Sequence, residues 1–217
     1  MTDRDLLDDQ IAYYRARAAE YDATSMPPGD PNATHIDALR SALRAFEPRG
    51  RVIELAAGTG QWTGELAEFA DDLLVTDSSP EMLDLNRARL GERPAVRHAV
   101  LDAFALPPSG DFDVAFLGFF LSHVPPSRFA TFWSLLEGIL RPMGRVFFID
   151  ERRHGLWDED WIDQAEGVVR RPLSDGTVHR AVKVLWEPDE LAARLQGLGW
   201  DASVQAVGPF YWGTAVR

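Results

Sequence analysis

Cysteine is absent from this 217-residue chain. That removes disulfides, thiolate zinc sites and cysteine nucleophiles. No apolar run reaches the roughly 18 residues of a membrane-spanning helix. There is no internal repeat and no low-complexity tract. The opening segment MTDRDLLDDQ is acidic and polar where a secretory signal would be basic and then apolar, so a cytoplasmic location is expected. Basic residues are scarce relative to acidic ones: 22 Lys and Arg stand against 34 Asp and Glu, for a net charge of -12. A field of that sign repels DNA and RNA on average, and solubility is its simplest purpose. Neither a nucleic acid nor a membrane is therefore an expected partner. Of the five histidines, His35, His98 and His179 show no metal-ligand spacing among them, and no metal is expected.

Hydrophobic residues make up 46% of the sequence, enough for a folded core. Residues 5–22 predict an amphipathic helix, with Leu7, Ile11, Tyr14, Ala18 and Tyr21 on one face. The proline-rich TSMPPGDPN ends it, and a second helix is expected over His35–Phe46. From residue 50 strands and helices alternate. RVIEL, DLLVTD, AVRHAVLD, FDVAFLGFF and GRVFFIDE read as strands, and GQWTGELAEFA as a helix. SSPEMLDLNRARLG carries Ser79 as N-cap, Pro80 in the first turn and Gly91 at the end. A further helix is expected from about Arg128 to Leu140 with Ser127 as its cap. HRAVKVLWE and ASVQAVGPFYWGTAV read as strands around a helix at Pro188–Leu198.

This alternation predicts a doubly wound α/β fold: a mainly parallel seven-stranded sheet with an antiparallel final strand and helices on both faces. A single domain over 1–217 is expected, as monomer or homodimer. Residues 1–48 form an N-terminal helical extension, and 152–180 an insertion bearing Trp157 and Trp161.

The chemistry concentrates at strand ends. The first strand runs into Glu54-Leu-Ala56-Ala-Gly58-Thr59-Gly60-Gln-Trp62-Thr63. Glycines in the first strand-to-helix turn let a ligand approach the backbone. Taken alone, a Gly-x-Gly is merely a tight turn. Asp77 ends the second strand, where a carboxylate can accept both ribose hydroxyls of an adenosine. Asp102 ends the third, beside Ala103 and Phe104, where a carboxylate can meet an adenine amino group and an apolar side chain the ring. Each aspartate could instead cap a turn. Three such residues at three successive strand ends favour a ligand. A dinucleotide-binding dehydrogenase would want a third glycine where Thr63 stands.

These motifs resemble class I S-adenosylmethionine-dependent methyltransferases. The resemblance covers roughly residues 10–217, with Ala56 where many members have glycine. It implies S-adenosylmethionine as donor and S-adenosylhomocysteine as product. It implies that Glu54 supports the loop and that Ala56, Gly58, Thr59 and Gly60 lie against the methionine part. Asp77 would hold the ribose, flanked by Ser78 and Met82. Asp102, Ala103 and Phe104 would surround the adenine, with Gly118 and Phe119 near the sulfonium. Tyr14 and Tyr21 resemble tyrosines that fold over the donor in small-molecule members. Tyr14, Trp62, Phe119 and Phe120 are candidates to face the cation.

The expected acceptor is a small metabolite, a natural product or its precursor, methylated on oxygen or nitrogen. His123, after the fourth strand, is the best candidate for a base, with Tyr14 beside the reaction; a histidine bonded to its own loop is the other reading. Asp150, Glu151 and His154 follow the fifth strand and are further candidates. Arg152, Arg153, Arg170, Arg171 and Arg180 make the last third locally basic. A solvated face is their common explanation, and they offer the alternative of an acidic acceptor, such as a peptide carboxylate, which needs no base. A non-catalytic donor-binding module is the third possibility. The insertion and the N-terminal helix are where an acceptor pocket would be built.

Overall fold

The computed structural model describes residues 2–25, 29–153 and 158–217. Five strands and their crossovers come first: β1 (Arg51–Leu55), β2 (Asp72–Asp77), β3 (Val96–Val100), β4 (Phe112–Gly118) and β5 (Leu140–Glu151). They pair in parallel in the order β3-β2-β1-β4-β5. The sheet is completed by β9 (Asp201–Val207) and β10 (Phe210–Val216), a hairpin whose final strand runs antiparallel to β5 and to β9. Sheet order reverses between β1 and β4, which opens a crevice at their carboxyl ends.

Burial on both faces explains why β1 and β4 are nearly continuous runs of apolar residues. One core lies between the sheet and two helices, α6 (Phe129–Ile139) and α7 (Pro188–Gly197), through Phe132, Trp133, Leu136, Leu191 and Leu195. The other joins the sheet to α3 (Ala33–Phe46), α4 (Thr63–Leu66) and α5 (Pro80–Leu90), through Leu39, Leu43, Leu66 and Leu83. At α5 the Ser79 hydroxyl accepts the Met82 N–H, Pro80 opens the helix and Gly91 closes it, as the sequence predicts.

Four local readings differ from the structure. The helix expected over 5–22 is α1 (Asp3–Arg17), a 3₁₀ turn at Ala18–Glu20 and a short α2 (Tyr21–Ser25). It starts earlier because Thr2 and Asp5 form a capping box. Its buried residues are Leu6, Leu7, Gln10, Tyr13 and Ala18, whereas Ile11 and Tyr14 face a cavity. The helix expected in GQWTGELAEFA shrinks to the four residues of α4. Ser127 is not a cap: a 3₁₀ turn at Pro126–Arg128 precedes α6, and the Ser127 hydroxyl donates to Asp3.

HRAVKVLWE is a strand only in its first part. That part belongs to β8 (Val178–Val182), in a separate antiparallel sheet with β6 (Trp161–Asp163) and β7 (Val168–Pro172). Leu6 and Leu7 of α1 pack on Val168 and Val182 of this small sheet. The expectations placed on His154 and Trp157 lie outside the described residues. No helix among the described residues is long and apolar enough to cross a membrane.

Candidate active site

Two adjoining cavities open at the carboxyl ends of the parallel strands. The first, with about 750 Å³ of empty space, is floored by the ends of β1, β2, β3 and β4 and roofed by α1 and α2. Ala56, Gly58, Asp77, Ser78, Met82, Asp102, Ala103, Phe104, Gly118 and Phe119 all line it, together with Tyr14, Tyr21 and His123. Leu7, Gln10 and Ile11 of α1, and Leu101 and Phe120, complete the wall.

The β1–α4 turn is bent for close approach. Ala56 has φ 50°, Gly58 55° and Gly60 88°. An added Cβ at Gly58 would stand in open space, and one at Gly60 would meet the Asn86 side chain at 2.9 Å. Ala56 therefore carries a methyl group in a left-handed conformation that glycine would adopt more cheaply, by about 1–2 kcal/mol.

Asp77 ties this turn to the next one. Its Oδ2 accepts the Gly58 N–H at 2.9 Å and its Oδ1 the Ser79 N–H at 2.8 Å. Burial raises its pKa, against the pull of those N–H groups. A carboxylate offers about four lone-pair sites, so capacity remains for two ligand hydroxyls. Asp102 is exposed at the far end, where its Oδ1 accepts the Phe104 N–H at 2.8 Å.

Glu54, Thr59, Gly60 and Trp62 stand behind the first cavity rather than in its wall. Glu54 is buried and accepts the Thr63 hydroxyl at 2.7 Å, and burial lifts its pKa to about 8. Thr59 donates to Asp22 of α2 at 2.6 Å, and Arg89 of α5 pairs with the same aspartate. These contacts fasten the roof to the loop. Trp62 is packed against Phe116 and Phe119 with the Arg40 guanidinium over its ring, so the structure does not bring it to the cavity.

The second cavity, about 1220 Å³ and open to solvent, adjoins the first along Tyr14, Tyr21, Phe119 and His123, which line both. Phe119 is held there at φ 55°, a conformation uncommon for a bulky residue. Three cations, Arg17, Arg171 and Lys183, and three carboxylates, Asp30, Glu151 and Glu159, line the second cavity. Arg171 pairs with Glu159, and Lys183 with Glu151. Arg17 donates to the Thr24 and Ser25 hydroxyls and lies over the Tyr13 and Tyr21 rings. Burial works against the Lys183 ammonium, but the Glu151 and Asp150 carboxylates outweigh it and hold its pKa above the usual value. Asp150 itself is buried beneath the cavity, with its pKa raised to about 6.

Of the five arginines singled out by the sequence, Arg171 reaches this cavity. Arg152 and Arg153 turn toward α7 and pair with Glu187 and Glu190. Arg170 pairs with Asp160, and Arg180 with Asp9 of α1. Sequence reasoning missed Arg17 and Lys183. Lys183 carried a signal: it is the only lysine in a chain that otherwise uses arginine.

His123 sits in a 3₁₀ turn at Leu121–His123 and is 8% exposed. Its Nδ1–H donates to the Val182 carbonyl at 2.7 Å, leaving Nε2 to accept the Tyr14 hydroxyl at 2.9 Å. Burial, reinforced by Lys183, lowers its pKa to about 3 despite the Val182 carbonyl. It is a neutral acceptor, and a weak one for the role of base in which the sequence makes it a candidate. Burial raises the Tyr14 pKa well above its usual value, so the phenol keeps its proton. Among the described residues no three His, Asp or Glu side chains gather as metal ligands.

A methyltransferase-domain family model matches residues 52–144, the stretch that carries β1 to β4, the first residues of β5 and the lining aspartates Asp77 and Asp102. Demethylmenaquinone methyltransferase from Beutenbergia cavernae is 30% identical over 200 residues, covering 84% of this chain and 79% of that protein. The chain belongs to the class I S-adenosylmethionine-dependent methyltransferases.

Two solved structures of another chain, DhpI, align over nearly the full length. The complex of DhpI with SAH is 40% identical with a TM-score of 0.85, covering 99% of this chain and 98% of that one. The complex of DhpI with SAM and HEP is also 40% identical, with a TM-score of 0.84 and coverage of 99% of both chains. Other curated relatives extend well beyond the match. It spans 41% of demethylmenaquinone methyltransferase from Lactococcus lactis and 6% of squalestatin hexaketide synthase from Phoma sp..

Proposed function

We propose that this methyltransferase moves a methyl group from S-adenosylmethionine to an anionic oxygen of a small acceptor seated in the second cavity. One observation carries the reading: Arg17, Arg171 and Lys183 line a cavity that shares the walls Tyr14, Tyr21, Phe119 and His123 with the donor cavity.

The donor cavity fits S-adenosylmethionine. The buried Asp77 keeps lone pairs for ribose hydroxyls, and Gly58 leaves backbone bare for the amino-acid part. Phe104 and Met82 give an apolar bed for the adenine, with Asp102 at its edge. Once bound, the donor supplies a methyl group already activated by its sulfonium. The chain's task is then to align, desolvate and hold charge.

The acceptor's charge decides whether a base is needed. A histidine with a pKa near 3 removes a proton from an alcohol or ammonium poorly. An anionic oxygen needs no proton removed. Arg171 offers a planar fork suited to carboxylate or phosphate, and Lys183 a buried point charge. Glu159 and Glu151 hold these two cations until an anion shares them. Tyr14, fixed by His123, stands at the junction through which the methyl group passes.

A labelled-methyl assay tests the proposal. A panel of small carboxylates and phosphate monoesters is expected to accept label in preference to neutral alcohols and amines of similar size. Transfer confined to neutral amines or alcohols would overturn it. Tight binding of S-adenosylhomocysteine with no transfer to any acceptor would favour a binding module.

A further inference from the structure

Gln10 lies on α1, one turn before Tyr14, and is 5% exposed. A buried amide left without partners costs about 1–3 kcal/mol, so its hydrogen bonds fix its place. Its Oε1 accepts the Val182 N–H at 2.9 Å, and its Nε2 donates to the His123 carbonyl at 3.4 Å. Val182 is also the residue whose carbonyl accepts the His123 Nδ1–H. One side chain thus grips both the residue that carries the imidazole and the residue that holds it. The circuit closes through helix α1, because Tyr14 donates to the other ring nitrogen.

We propose that Gln10 is a positioning residue for methyl transfer, fixing His123 in its Nδ1–H tautomer and thereby Tyr14 at the junction of the two cavities. This rests on the reading of Tyr14 and His123 as the pair beside the transferring methyl group. The geometry argues against mere docking of α1. The helix is already held to the small sheet by Leu6 and Leu7 on Val168 and Val182. Asp9 adds bonds to His179 and Arg180. Gln10 adds a bond on each side of His123 instead.

Nitrogen NMR of ring-labelled histidine tests this in the whole protein without donor or acceptor. His123→Asn identifies the His123 signals by their loss. In the parent, His123 is expected as a single Nδ1–H tautomer. In Gln10→Met both amide bonds vanish, and the expected result is loss of the single tautomer, with the two ring nitrogens moving toward averaged shifts. Gln10→Glu keeps an acceptor for Val182 but sets a carboxylate against the His123 carbonyl, so a smaller shift in the same direction is expected. His98, bonded to Asn86 on the far side of the donor loop, reports that each variant is folded. A purely structural Gln10 would leave the tautomer of the folded protein unchanged. Wild-type His123 signals in whichever variant retains the His98 signal would overturn the proposal. Because no turnover is measured, failure of the anionic-acceptor reading in the transfer assay leaves this result standing, and the reverse.

Discussion

Tyr14 and His123 are separated by 109 residues, yet the Tyr14 hydroxyl meets His123 Nε2 at 2.9 Å where the two cavities join. One partner comes from the N-terminal helix and the other from the turn after β4. The pair exists only while α1 is docked, so roof and reaction site are assembled together.

Tyr14→Phe removes that hydroxyl and keeps the ring. Transfer is expected to slow about 10- to 100-fold, as for loss of an orienting group. Affinity for S-adenosylhomocysteine is expected to stay within about threefold by calorimetry. An equal loss in both would move Tyr14 from the transfer step to donor binding.

Asp77→Asn keeps the shape of the side chain and removes its charge. Each hydrogen bond to a charged group contributes about 1.5–3 kcal/mol. Affinity for S-adenosylhomocysteine is therefore expected to fall at least about tenfold. A variant that binds as well as the parent would remove Asp77 from the donor site.

Arg171→Met is expected to raise KM for an anionic acceptor about 10- to 100-fold, the range for loss of a forked ion pair in a partly buried site. Arg152→Met serves as the comparison, because Arg152 is spent on Glu187. Its KM is expected to stay within about twofold. Equal effects would show that net charge, rather than placement, attracts the acceptor.

Glu54 gives a pH signature. Burial raises its carboxyl to about 8 in the folded chain, from an ordinary value of 4.5. Between those values the folded state holds a proton that the unfolded state releases. Stability from this group is full below about pH 4.5 and is lost as pH rises through about 8. Glu54→Gln cannot ionise, so its thermal midpoint is expected to gain on the parent as pH rises from 5 to 8. A shift of about 2–4 °C would correspond to roughly 1 kcal/mol in a domain of this size. A constant gap between the two melting curves would show that Glu54 does not titrate in that range.

Gly118→Ala would set a Cβ 2.7 Å from Trp62 and 3.0 Å from Phe116, both in the packed core. Overpacking of this kind costs about 1–3 kcal/mol. The thermal midpoint is expected to drop by several degrees, and unchanged melting would mean that the Trp62 ring yields freely.

The parallel sheet was legible because alternating apolar strands and helices permit few arrangements, and the cap signals at Ser79, Pro80 and Gly91 are local. Asp77 and Asp102 were legible for the same reason, since strand ends can be read along the chain. Ser127 was misread because a capping preference says nothing about Asp3, which reaches it from the far end of the sequence. The partners of the arginines were hidden for a similar reason. Charge type is visible in sequence, but the carboxylate that occupies each guanidinium is set by packing, and α7 places Glu187 and Glu190 on Arg152 and Arg153. Gln10 gave no signal at all: its two bonds run to backbone groups 113 and 172 residues away.

Lys183 makes the molecule its own chemical clock. The chain has one side-chain amine. In the folded state that amine is buried, protonated and paired with Glu151. An acylating reagent needs the free amine, which the pairing with Glu151 withholds although the second cavity is open to solvent. Mass spectrometry of the peptide that carries residue 183 would then time each breaking of that pair, with no competing lysine to blur the record.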